Sequence, residues 1–240
     1  MDYFYEYVRT FDLDDKNISL KYHHSIRVMK KMLSLSHELS LNEEDTYLAK
    51  MIGLLHDIGR FYQITTYHTF SDLILDHGDY GANLLIKEKL IKKFKIKEED
   101  YPVVYTSIKY HNKYKIPSNL SPREELFLKM IRDADKIDIF YILSNNKNLI
   151  IDNIDISKNI ISDFYKKKPI NYRDIKNNND RIILSLAMSY DLNYSYSCNY
   201  LIKNNIIKNI YNLINNKTIF KEYFHFINEY LIERSGYNVR

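Results

Sequence analysis

The chain reads as all-α, and three observations carry that reading. Only five glycines and four prolines interrupt 240 residues, which leaves few points where a helix must break. Apolar residues recur at three- and four-residue intervals almost throughout, the period of a helix buried along one face. Hydrophobic residues make up 45% of the chain, enough at this length to bury a substantial core.

The elements follow in order. A short helix is expected over 2–10 and a long one over 18–40, where His24, Val28, Met32, Leu35 and Leu39 form one stripe. His23 points about 100° away from that stripe. The polar turn "LNEED" leads into a helix over 44–58 that is apolar nearly all round and therefore central. His56 and Asp57 close it, and Gly59 marks its end. The segment "FYQITTYHTFSD", residues 61–72, lacks helical rhythm and is expected to be a loop. A helix over 77–95 opens on His77, with Gly81 one turn later keeping the space above the imidazole clear. The next, over 99–113, sets Val104, Ile108 and His111 in line. Past the turn "KIPSNLSP", a helix over 122–144 puts Leu128, Ile131, Asp135, Ile139 and Ile142 on one face. Beyond 145 the chain is richer in Asn and Lys. Helices are expected there near 156–167, 179–190, 196–215 and 218–234, with "DIKNNNDR" as a connection. The organisation expected is one helical domain over 1–145 and a helical extension over 146–240 packed on it. The composition of that extension is compatible with a cover for the site, a specificity element or a homodimer contact.

With 35 basic and 31 acidic residues the net charge is only +4. No basic face is clustered, so no stable nucleic-acid complex is expected, and the charge implies at most a mild preference for anionic small molecules. No run approaches the roughly 20 apolar residues of a membrane span. The N-terminus, "MDYFYEYVRTFDLDD", lacks the grammar of a signal peptide. The single cysteine, Cys198, excludes an internal disulfide and suits the cytoplasm.

The chemistry begins at "GLLHDIGR", residues 53–60. A buried ionised carboxylate costs several kcal/mol unless an opposite charge meets it. Taken singly, each candidate has an ordinary explanation, such as a satisfied interior histidine or a solvated aspartate at a helix end. Together, five segments each carry an imidazole or a carboxylate toward the interior or its edge: His24, His56–Asp57, His77, His111 and Asp135. Neutral imidazole with ionised carboxylate is the ligand set of Fe, Mn, Co, Ni or Zn, and a metal would supply the missing positive charge. Four histidines and two aspartates suffice for two ions if one carboxylate bridges them, and Asp57, next to His56, can reach both. On periodicity alone Asp133 and Asp138 compete with Asp135, and Asp138 lies nearer the centre of the apolar face. Arg60 is either a solvated charge or a phosphate-holding fork; its place beside His56–Asp57 favours phosphate. Arg27 and Lys113 are weaker candidates for the same task. His23, His37, His68 and His225 read as non-ligands.

This order of residues, with "HDIGR", "HGDYGANLL" and "RDADKID", resembles the HD-domain superfamily of metal-dependent phosphohydrolases over roughly residues 18–145. The resemblance selects Asp135. It implies His24, His56, Asp57 and Asp135 around a first divalent ion, with Asp57 bridging to a second held by His77 and His111. The ions would be Fe, Mn, Co or Ni, with Mg as a further option. Members that degrade cyclic di-GMP carry a Gly-Tyr-Pro signature where this chain reads "HNKYKIPSNL", and that assignment is rejected. Guanosine-tetraphosphate hydrolases are larger and carry a Glu-Asp pair that none of these motifs supplies. Some two-metal members have a further histidine where Asn112 stands, so the second ion would lean on water. The activity implied is a phosphohydrolase cleaving an ester or anhydride of a small phosphorylated substrate, a nucleotide in particular, by metal-activated hydroxide. Nucleoside monophosphates and dinucleoside polyphosphates are the two substrate classes. His56, Asp57 and Arg60 would be its catalytic residues. The alternatives are a mixed-valence di-iron oxygenase of the same superfamily and a non-catalytic nucleotide sensor.

Overall fold

The computed structural model describes residues 2–147, 149–215 and 217–236, and every regular element among them is helical. The chain divides into two compact units, Met1–Asp135 and Lys136–Arg240. The boundary expected at 145 coincides with a helix end, whereas this division falls inside that helix.

In the first unit, α1 spans Asp2–Val8, α2 Lys16–Glu38 and α3 Glu43–Leu55. Asp15 caps α2 by accepting from the backbone N–H groups of Asn17 and Ile18, and Asn42 caps α3 by accepting from Asp45 N–H. Three acidic residues in the first turn of α3 complement its dipole. The buried face of α2 carries His24, Val28, Met32 and Leu35 of the expected stripe, with Ile18 before them, and packs along α3, while Leu39 is the half-buried C-cap.

Two expectations are corrected between residues 56 and 72. The segment after Asp57 is helical: α4 runs Ile58–Tyr67 and ends at His68, whose φ of 51° is left-handed. Its buried side chains are few, chiefly Ile58, Phe61, Gln63 and Ile64. The polar Gln63 and the β-branched Thr65 and Thr66 obscure so short a stripe. Gly59 therefore does not end a helix but lies in the first turn of α4. A Cβ there would meet His77 O at 2.3 Å and Gly81 N at 2.9 Å. The glycine lets two backbones touch, bringing α4 against α5 (His77–Ile86).

The helix expected over 77–95 stops at Ile86, and short 3₁₀ turns, Leu90–Phe94 and Glu98–Asp100, fill the interval to α6 (Tyr101–Tyr110). Lys89 and Lys95, at φ 61° and 52°, break the continuity on either side of the first turn. Helix α7 spans Pro122–Ser144.

The second unit holds α8 (Lys158–Tyr165), α9 (Asn178–Ala187), α10 (Ser195–Lys203), α11 (Ile206–Leu213) and α12 (Lys221–Ser235). Its core gathers Phe164, Ile183, Leu186, Cys198, Leu201, Ile210, Phe220 and Leu231. The single helix expected over 196–215 is two, split where Asn205 adopts φ 53°. Asp180, fully buried at the start of α9, accepts from Ser157 N–H and Oγ–H at 2.8 Å and from Lys176 N–H at 3.0 Å. Among the described residues no helix is long and apolar enough to cross a membrane.

Candidate metal centre

Six side chains from separate parts of the first unit meet at one buried point. His24 comes from the third turn of α2, His56 and Asp57 from the junction of α3 and α4, and His77 from the first residue of α5. His111 follows the last residue of α6, and Asp135 comes from the middle of α7. The four imidazoles are at most 3% exposed and Asp57 is 2% exposed.

Asp57 occupies the N-cap of α4 yet makes no capping bond. An aspartate there ordinarily accepts from the first turn of its helix, at a gain of about 1 kcal/mol. Instead its two oxygens face opposite ways. Oδ2 lies 3.4 Å from His24 Nε2 and 3.6 Å from His56 Nε2. Oδ1 lies 3.1 Å from His77 Nε2 and 3.7 Å from His111 Nε2. On the first side, Asp135 Oδ1 completes the group at 3.1 Å from His24 Nε2 and 3.7 Å from His56 Nε2. His24–His56–Asp135 and His56–Asp57–His111 each bring three donor atoms close enough together to hold an ion, with His56 common to both.

The donor chemistry tests whether cations fit. His56 Nδ1 lies 2.9 Å from Gly53 O, and His111 Nδ1 lies 2.7 Å from Ile108 O. A carbonyl only accepts, so each Nδ1 carries a hydrogen, which in a neutral ring leaves the Nε2 lone pair facing inward. His77 is fixed the same way by Asp72 Oδ1, 2.6 Å from its Nδ1. The Nε2 atoms of His77 and His111 lie 3.0 Å apart, and with both rings neutral two lone pairs face each other there. Nothing but a positive charge between or beside them makes that arrangement favourable. Two nitrogens that share an ion at about 2.1 Å and a right angle lie about 3.0 Å apart, so the spacing suits ligation. The residues fit divalent ions.

Charge agrees with geometry. Burial acts to raise the Asp57 carboxyl, but the Lys21 ammonium and the surrounding imidazoles outweigh it and hold it well below the usual carboxylate range. Burial likewise opposes ionisation of Asp135, and His24 and His56 override it. Burial pushes His111 down to about 4, partly offset by Asp57. Ionised carboxylates beside a neutral imidazole are the protonation states that metal binding requires.

A second layer fixes these groups. Burial would raise Asp72, but its bonds from His77, with Arg60 and Asn112 behind them, keep it below the ordinary carboxylate range. Asn112 Nδ2 donates to Asp72 Oδ2 and to Asp76 Oδ1, each at 3.1 Å. Asn112 thus supports His77 through Asp72. Gly78 makes room for it, since a Cβ there would lie 2.7 Å from Asn112 Oδ1. The buried Arg132 donates through Nη1 to the carbonyls of Tyr110, His111 and Lys113, at 2.9, 3.0 and 2.7 Å, clamping the end of α6.

Arg60 lies at the rim of the centre, its Nε 3.7 Å from Asp57 Oδ1. Its Nη1 donates to Gln63 Oε1 at 2.6 Å, to Phe70 O at 2.7 Å and to Asp72 Oδ1 at 3.0 Å. Lys113 is paired with Asp76 and Asp79 and so is not offered to a ligand.

Sequence reasoning missed Lys21, Asp72, Asn112 in its supporting role, and Arg132. Lys21 precedes His24 by three residues, so helical spacing could have found it. Asp72 lies in the irregular stretch after α4, where no period marks a side chain's direction.

Fold and site together define an all-α domain built around a histidine–aspartate cluster with room for divalent cations. Residues 22–139, which contain all six donors, match the family model described as the HD domain. The chain is a member of the HD-domain superfamily through that segment, a superfamily of metal-dependent hydrolases, mostly phosphohydrolases. Comparisons with curated proteins and with solved structures gave no match.

Proposed function

We propose that the protein is a metal-dependent phosphohydrolase acting on a small phosphorylated molecule, with nucleotides as the substrate class. One observation carries the reading: the oxygens of Asp57 face two separate histidine pairs, the arrangement of a carboxylate shared by two ions. His24, His56, Asp57 and Asp135 would hold the first ion, and Asp57, His77 and His111 the second. When bound, divalent ions activate water as a nucleophile and offset the charge on phosphoryl oxygens.

The chain's own residues supply position and proton control. Gly53 O, Ile108 O and Asp72 hold three histidines in the tautomer that presents Nε2 inward, at no reorganisation cost during turnover. Asp135, 15% exposed at its side chain, reaches toward solvent more than Asp57 does, and is the carboxylate placed to take a proton from an attacking water. Arg60, committed through Nη1 to residues 63, 70 and 72, keeps its charge beside Asp57 and holds the irregular segment over the centre.

The test is phosphate release across nucleoside monophosphates and dinucleoside polyphosphates with Mn, Co, Ni, Fe and Mg. Turnover with at least one metal is expected, with loss in His56→Ala and Asp57→Ala while helical circular dichroism persists. Wild-type activity in either variant refutes the mechanism. O₂ consumption without phosphate release would reassign the centre to oxidative chemistry.

A further inference from the structure

We propose that Lys21 is the anion-binding residue of this centre. It pairs with Asp57 when cations are absent and turns its ammonium onto a phosphoryl oxygen when they are present. The inference rests on the metal-dependent phosphohydrolase reading and adds the residue that receives the substrate's charge.

Lys21 stands one turn before His24 on α2 and on the same face. Its Nζ donates to Asp57 Oδ2 at 2.6 Å, and its side chain is 16% exposed, so the ammonium lies between the buried donors and the surface. The same Nζ lies 5.8 Å from the centre of the Phe70 ring, and the Arg60 guanidinium carbon lies 5.9 Å from it. Phe70 is 40% exposed and forms an aromatic wall at the rim.

Arg60 Nε also lies 3.7 Å from Asp57 Oδ1, but the hydrogen bonds of Arg60 and of Lys113 go to groups that metal binding leaves intact. Arg60 Nη1 serves Gln63, Phe70 O and Asp72, and Lys113 serves Asp76 and Asp79. Lys21 differs because its hydrogen-bond partner is a metal ligand. An ammonium and a divalent ion compete for Oδ2 and repel each other at such range. Loading the centre therefore releases Lys21, and its flexible four-carbon stem lets the charge swing while staying at the mouth. The group able to accept it there is an anion held against the ions, and a phosphoryl oxygen matches its three donors.

The test is calorimetric titration of inorganic phosphate into Mn-loaded wild type, Lys21→Met and Lys21→Arg, beside Mn titrations without phosphate. Lys21→Met should weaken phosphate binding about tenfold or more, and Lys21→Arg should keep most of it. Mn stoichiometry should be unchanged in both, and Mn affinity of Lys21→Met equal to or above wild type, because a competitor for Asp57 is gone. Three results overturn the inference: phosphate binding in Lys21→Met equal to wild type, loss of Mn from that variant, or no phosphate binding by loaded wild type. Lys21-dependent phosphate binding without hydrolysis of any phosphoester would retire the phosphohydrolase reading alone. Hydrolysis by wild type with undiminished phosphate binding in Lys21→Met would retire the Lys21 assignment alone.

Discussion

Replacing Asp72 with alanine separates the two halves of the centre. Asp72 touches no donor on the first side. Its Oδ1 accepts from His77 Nδ1–H at 2.6 Å and from Arg60 at 3.0 Å, and its Oδ2 accepts from Asn112 at 3.1 Å. Without it, His77 loses the bond that fixes its tautomer, and a ring free to protonate Nε2 cannot ligate. Removal of such an outer carboxylate costs about 10- to 100-fold in metal affinity, or about 1.4 to 2.7 kcal/mol. Asp72 is one-third exposed, so water replaces part of the lost bonding and the fold should lose only about 1 to 2 kcal/mol. Stepwise Mn titration by calorimetry, with thermal unfolding alongside, measures both. The expected result is one binding step at wild-type affinity and a second weakened at least tenfold. Equal weakening of both steps, or none of either, would refute the division of labour drawn from Asp57.

Gly59→Ala should lower the thermal midpoint by several degrees, corresponding to about 1 to 3 kcal/mol of overpacking, because its Cβ would strike the backbone of α5 at 2.3 Å. An unchanged midpoint would show that α4 and α5 do not touch there. In chelator-treated protein, stability should fall as pH drops from about 6.5 to 4. His111 stays neutral in the fold down to about 4 while the unfolded chain takes up a proton near 6.5, a gap of about 3 kcal/mol. The depressed Asp57 and Asp135 act in the same direction below that range, being protonated first in the unfolded chain. Urea melts of wild type and His111→Gln across this range should show a shallower slope in the variant; equal slopes would contradict the assignment. Asp180→Ala leaves Ser157 and Lys176 N–H groups without their buried acceptor and should destabilise by about 2 to 4 kcal/mol, read by urea melts.

The long, regularly patterned helices were legible because burial along one face writes a period into the sequence. The stripe on α2 and the run of α7 came through with ends close to those observed; the histidines and Asp57 could be proposed from order and context, and Asp135 only through the family resemblance. Local backbone decisions were not legible. Asn205 and Lys89 enter left-handed conformations that nothing in composition demands, which split one expected helix and shortened another. Gly59 looked like a terminator because glycine does end helices, whereas here its missing side chain serves contact with a distant segment. Asp57 at an N-cap without a capping bond is the reverse case: a local rule set aside because both oxygens face the centre. The supporting shell was least visible, since Asp72 and Arg132 act through an irregular segment and through backbone carbonyls that no side-chain pattern records.

Two ions bridged by one carboxylate is the claim on which the function rests. Electron paramagnetic resonance of chelator-stripped protein titrated with Mn²⁺ tests it most directly. Two ions per chain with an exchange-coupled signal are predicted, and Asp57→Ala should abolish the coupling. A protein that binds no Mn²⁺, or binds it only as isolated, uncoupled ions in wild type, would contradict the account.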